Sequence, residues 1–148
     1  MSKGEMMAAN GAIYIQRDNV DLKDVFDDVT SDKGIFRKPT YYDVKLGEDV
    51  VRFNIMESSE IPNHLDGFLG YIASLNNSDD RKEDTSYAIS HTKVVLGLVS
   101  DTDFEDNHKI WQSLFQIADK YDGFVFVYDS VLLPNGAALV GPLVQTDT

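Results

Sequence analysis

Three histidines, 25 acidic side chains and no cysteine are the material from which this chain could build a reactive site. The missing cysteine removes thiol nucleophiles, Cys-ligated zinc, iron–sulfur clusters and disulfides together. Imidazole chemistry must therefore use His64, His91 or His108. His64 stands in Pro62-Asn-His-Leu-Asp66, at the start of an expected helix. A positive helix end disfavours an imidazolium, so a neutral, hydrogen-bonded ring is expected there. His91, in Ser90-His-Thr92, could be half of a two-histidine phosphoesterase signature built from paired His-x-Thr/Ser motifs. The chain continues as His91-Thr-Lys93, and neither other histidine supplies the second motif. His108 opens a later helix and reads as a stacked or surface ring rather than a ligand.

The acidic run Asp101-Thr-Asp-Phe-Glu-Asp106 invites a test for calcium, because its oxygen ligands fall at alternate positions. An EF-hand loop needs Gly at its sixth position and Glu at its twelfth. Those places hold Asp106 and Gln112, so the match fails. The carboxylates more simply cap and solvate a helix N-terminus, whose dipole favours negative charge by about 0.3–1 kcal/mol per group. No metal and no other cofactor is expected. The chain has no Gly-x-Gly-x-x-Gly, Walker or Gly-x-Ser-x-Gly pattern. Paired carboxylates for glycoside chemistry need no fixed spacing, and among 25 acids such pairs arise freely, so they carry no information.

What remains is charge. Thirteen Lys and Arg against 25 Asp and Glu leave a formal charge of −12. A field of that sign repels nucleic acid and anionic membranes and attracts basic partners, and salt weakens it. It also keeps a small protein soluble, a role open to any acidic domain. Arg37-Lys38 is the one small basic cluster, too little for a nucleic-acid groove. The first ten residues hold no apolar run of signal-peptide length, and no stretch approaches the roughly 18 apolar residues of a membrane span. These features predict a cytoplasmic protein.

The elements that must position these groups follow from periodicity. Ala12–Gln16 alternates as a strand should. Asn19 can cap a helix in which Leu22, Val25, Phe26 and Val29 share one face. Thr40–Leu46 and Val50–Met56 flank Gly47-Glu48-Asp49 as a hairpin, with Tyr41 and Tyr42 on opposite faces. Ser58 or Ser59 with Pro62 starts a second helix carrying Leu65, Phe68, Leu69, Ile72 and Leu75, and Gly67 and Gly70 inside it either weaken it or mark close packing. Residues 78–90 read as loop or as a further helix running towards Ile89. Thr92–Val99 predicts a central strand, and Ile110 to Tyr121 a helix stopped by Asp122-Gly123. Phe124–Tyr128 and Ala137–Gly141 are the last strands, joined through the turn Leu133-Pro-Asn-Gly136.

Hairpins outnumber strand–helix–strand crossovers. The expectation is one α+β domain over residues 1–148, with a mixed or largely antiparallel sheet of five to six strands and three to four helices on it. Residues 1–10 and 143–148 are expected to be loose. The functional expectation is an acidic domain that binds and neutralises a basic protein, since small acidic α+β proteins without motifs are common among bacterial immunity proteins against toxins and among inhibitors. The contact is assigned to Asp101, Asp103, Glu105 and Asp106, on which the acids are expected to concentrate, with Trp111 as a hot spot if exposed. The segment Asp21, Asp24, Asp27 and Asp28 is the weaker candidate because Lys23 dilutes it. Two alternatives stand beside this: an interaction module of a larger assembly, self-association included, and an enzyme of unfamiliar type using His64 or His91.

Overall fold

The strand at the centre of the molecule is Ala9–Ile15 (β1), and its alternation explains the architecture. Ile13 and Ile15 point to one side and Tyr14 to the other, and all three are buried. A strand buried on both faces requires a layer on each. The computed structural model, which describes residues 9–32, 37–100 and 103–144, supplies both. The remaining strands are β2 (Val29–Ser31), β3 (Tyr41–Leu46), β4 (Asp49–Ile55), β5 (Val94–Ser100), β6 (Phe124–Val127), β7 (Ser130–Leu132) and β8 (Ala138–Val140). All eight belong to one sheet, in the order β2-β3-β4-β5-β1-β6-β7-β8, and neighbouring strands run antiparallel throughout. The three helices are α1 (Ile61–Ala73), α2 (Asp79–Ser90) and α3 (His108–Tyr121). The protein is α+β, as expected, with more strands than the five to six predicted.

The helix α3 covers one face, where Ile110, Leu114, Ile117 and Ala118 meet Ile13, Phe53, Leu96 and Val125. The helices α1 and α2 cover the other face over β1 and β6 to β8, where Phe68, Ile72 and Ile89 meet Tyr14, Val131 and Val140. The helix Asp79–Ser90 resolves the alternatives left open for residues 78–90. Ser78 caps it by accepting from the Arg81 amide at 3.3 Å. Arg81 then reaches back and donates to the Ala138 and Leu139 carbonyls, tying α2 to the edge strand β8.

Three expectations need correction. The helix predicted from Asn19 is a single turn, Leu22–Asp24, capped by Asp21 rather than Asn19. Leu22, Val25 and Phe26 still face the core, but Val29 and Thr30 are drawn into pairing with Val44 and Asp43 and become β2. The short strand β7 was also unforeseen. Gly67 and Gly70 mark no close packing, since a side chain at either would meet open space. The stop at Asp122-Gly123 is real: Asp122 turns left-handed at φ 55°, and a Cβ on Gly123 would lie 2.7 Å from the Tyr14 carbonyl oxygen. Tyr41 and Tyr42 do face opposite ways, Tyr42 into the core and Tyr41 beneath the guanidinium of Arg52 at 3.7 Å. Among the described residues no helix is long and apolar enough to cross a membrane. Of the termini expected to be loose, residues 1–8 and 145–148 lie outside the described residues. Of the rest, Asn10 pairs with Val99 in β1, and the Leu143 amide donates to Ser130 Oγ at 2.9 Å.

Candidate functional site

The strands β6 and β7 are joined by two residues, Tyr128 and Asp129, at φ 49° and 62°. A two-residue hairpin with both residues left-handed matches the twist of the strands and prefers Asn-Gly. Tyrosine is a poor choice for that backbone, so its ring must be held by something else. On the α3 face, the Tyr128 hydroxyl donates to Asp103 Oδ1. On the other face, the Tyr71 hydroxyl of α1 donates to the Asp129 carbonyl at 2.6 Å. The turn is thus pinned from both helical layers.

Around Tyr128 the sequence assembles an aromatic surface. Phe104 is buried beneath it, Trp111 lies beside it, and the three ring centroids are 5.7 to 6.0 Å apart. Trp111 is half-buried and also packs on Phe115 at 4.9 Å. Tyr128 is 41% exposed. Asp103, besides holding Tyr128, caps the turn Phe104–Asp106 by accepting from the Glu105 amide. The Tyr128 bond keeps the Asp103 carboxyl below its ordinary range. Burial, with Asp103 as its hydrogen-bond partner and Glu105 and Asp106 nearby, pushes the Tyr128 phenol up. Asn107 follows as the α3 cap and ties in Asp49 of β4 at 2.9 Å.

A groove of about 480 Å³ continues from this surface along α3. One wall is a helical stripe, His108, Trp111, Gln112, Phe115, Gln116 and Asp119, and the other is the turn at Pro134–Gly136. That turn is fastened by hydrogen bonds from the Leu133 amide to Ala137 and from the Gly136 amide to Leu133, both 2.8 Å. Gly136, at φ 90°, permits it.

Of the residues assigned from sequence, Asp103, Glu105, Asp106 and Trp111 therefore converge on one surface, while Asp101 lies outside the described residues. The acids do not concentrate there. Exposed carboxylates also stand at Asp21, Asp28, Asp66, Asp80, Asp84 and Asp122, on most turns and helices. A second ring cluster, Tyr14, Phe68, Tyr71 and Phe126, packs under α1. What sets this end apart is that its tyrosine, Tyr128, stands exposed in a left-handed turn beside the half-buried Trp111. His64 is on the exposed side of α1, sharing a 2.8 Å hydrogen bond with the buried Tyr14 hydroxyl, whose proton burial makes hard to lose. His91 ends α2 and bonds through Nδ1 to the Tyr87 carbonyl at 2.8 Å. Neither histidine lines the groove. Among the described residues no group of three or more His, Asp or Glu is placed to hold a metal.

Sequence reasoning missed Tyr128, Phe104, Phe115, Asp119 and the groove. A signal existed for one wall of the groove: α3 carries a second stripe beside its core stripe, at positions 108, 111, 112, 115, 116 and 119. No family model, curated protein or solved structure matches this chain.

Proposed function

We propose that this is an acidic protein-binding domain that neutralises a basic protein partner, through the surface formed by Tyr128, Trp111, Asp103, Glu105 and Asp106. The observation that carries the reading is Tyr128, a bulky residue kept in a left-handed turn with its ring on the surface. Strained backbone at a surface turn costs of order 1–3 kcal/mol and is retained where the residue has a task. Tyr and Trp are the side chains that most often anchor protein contacts, and a charged surround sets on-rate and specificity. A net charge of −12 attracts a basic partner over the approach distance that salt permits. A bacterial immunity protein or inhibitor in the cytoplasm, with a toxin as its target, is the class that fits a small acidic domain of this kind.

The test is capture from the native host at low and moderate salt, followed by reconstitution with the purified partner and calorimetry. Three baits are compared: the native chain, the Asp103→Lys/Glu105→Lys/Asp106→Lys variant, and Tyr128→Asn. A single basic protein that binds the native chain one to one and loses at least about tenfold in affinity to each variant supports the reading. Equal binding by all three baits, or no reconstituted partner, overturns it.

A further inference from the structure

We propose that the groove along α3 receives an arginine side chain of the partner, a proposal that deepens the reading above and rests on it. Trp111 and Phe115, with ring planes tilted by 53°, form a bent apolar wall suited to the aliphatic stem and flat head of arginine. Among the described residues Asp119, one helical turn beyond Phe115, is the one carboxylate lining the groove; no Lys or Arg lines it, and His108 stands at its other end. Gln112 and Gln116 lie on the same stripe and are exposed, free to turn their amide oxygens towards a donor. A guanidinium carries five donors in a plane and stacks on aromatic faces, whereas a lysine ammonium offers a compact, strongly hydrated charge. The chemistry of the lining therefore selects arginine.

The groove is built to hold its shape. Its helical wall is anchored by Ile110, Leu114 and Ile117 in the core, and its opposite wall is the hydrogen-bonded turn at residues 133–137. A site on rigid elements loses little on binding. Trp111 belongs both to the groove and to the cluster with Tyr128, so an inserted arginine would lie next to the proposed contact surface of Tyr128, Asp103, Glu105 and Asp106.

Trp111 is the only tryptophan in the chain, which makes it a built-in reporter. N-acetyl-arginine amide is titrated into the full chain, with the neutral isostere N-acetyl-citrulline amide in parallel, following Trp111 fluorescence and the side-chain amide resonances of Gln112 and Gln116. The expected result is a saturable response to arginine in the millimolar range and none to citrulline. Asp119→Asn, at an exposed position, should weaken the arginine response by about threefold, in keeping with an exposed ion pair. No response, an equal response to citrulline, or an unchanged response in Asp119→Asn overturns the proposal. The Asp103→Lys/Glu105→Lys/Asp106→Lys variant separates the two readings. If partner capture depends on those charges while arginine leaves Trp111 unmoved, the groove inference falls alone. If arginine binds while no partner does, the partner reading falls.

Discussion

Two acidic segments of this chain look alike in sequence and do different work. Each has an aspartate capping one tight helical turn, Asp21 before Leu22–Asp24 and Asp103 before Phe104–Asp106. Each lies beside tyrosine. At the first, Tyr121 donates to the Asp21 carbonyl at 2.8 Å and accepts from the Asp21 amide at 2.9 Å, while Tyr42 donates to the Val20 carbonyl. These tyrosines are 6% and 4% exposed, and their hydroxyls serve the main chain. Burial, with Asp21 and Asp24 nearby, pushes the Tyr42 phenol up to about 12. At the second segment, Tyr128 is exposed and its hydroxyl goes to a carboxylate. The first arrangement fastens a loop to the core. The second organises a surface.

The largest effect should come from breaking the first. Tyr121→Ala removes a buried ring and both main-chain hydrogen bonds, and should lower the unfolding free energy by about 3–5 kcal/mol. Chemical denaturation measures it, and a loss below about 1 kcal/mol would mean that the Asp21 loop does not need this anchor. Tyr128→Asn is the counterpart and should be far milder. It loses ring contacts with Phe104 and Trp111 but places a residue that tolerates left-handed backbone in the turn. The two changes should offset to within about 1 kcal/mol in the same assay. A loss as large as that of Tyr121→Ala would show Tyr128 to be structural and remove the argument that its strain is kept for contact.

The sequence made the antiparallel α+β class and most boundaries legible because alternation and caps are local. The strands β2 and β7 were not: β2 lies inside apolar spacing that also suits a helix, and β7 follows a two-residue turn that lacks the Asn-Gly signature. The helix expected across Asn19–Val29 failed for a related reason. Its apolar spacing is satisfied equally by one turn followed by an edge strand, and pairing of Val29 with Val44 decides between them. The Asp103 to Trp111 part of the site was readable from the acidic run and the lone tryptophan. Tyr128 was not, because Tyr-Asp lacks the Asn-Gly signature of its turn, and strand and turn are indistinguishable at that position without the structure. The groove depends on Pro134–Gly136 meeting α3 across the sheet end, a juxtaposition that no spacing in the chain announces.

The finest discrimination between the two segments is in acid. Tyr128 donates to the Asp103 carboxylate, so Asp103 gives up its carboxyl proton more readily in the folded state than in the unfolded chain. The resulting stabilisation is complete above the ordinary carboxyl pKa of about 3.9 and drains away as the pH falls through the lower folded-state value. Tyr128→Phe removes the donor. Its Asp103 carboxyl, followed by carbon-detected NMR, should return towards the ordinary range, and its stability should depend less on pH below about 4. The change is small because solvent reaches a half-exposed Asp103 and screens the bond. Tyr121→Phe should leave the shape of the acid limb as it is in the native chain, because the Tyr121 hydroxyl serves main-chain atoms and no carboxylate. An equal change in both variants would erase the distinction, since both tyrosines would then act on the fold in the same way.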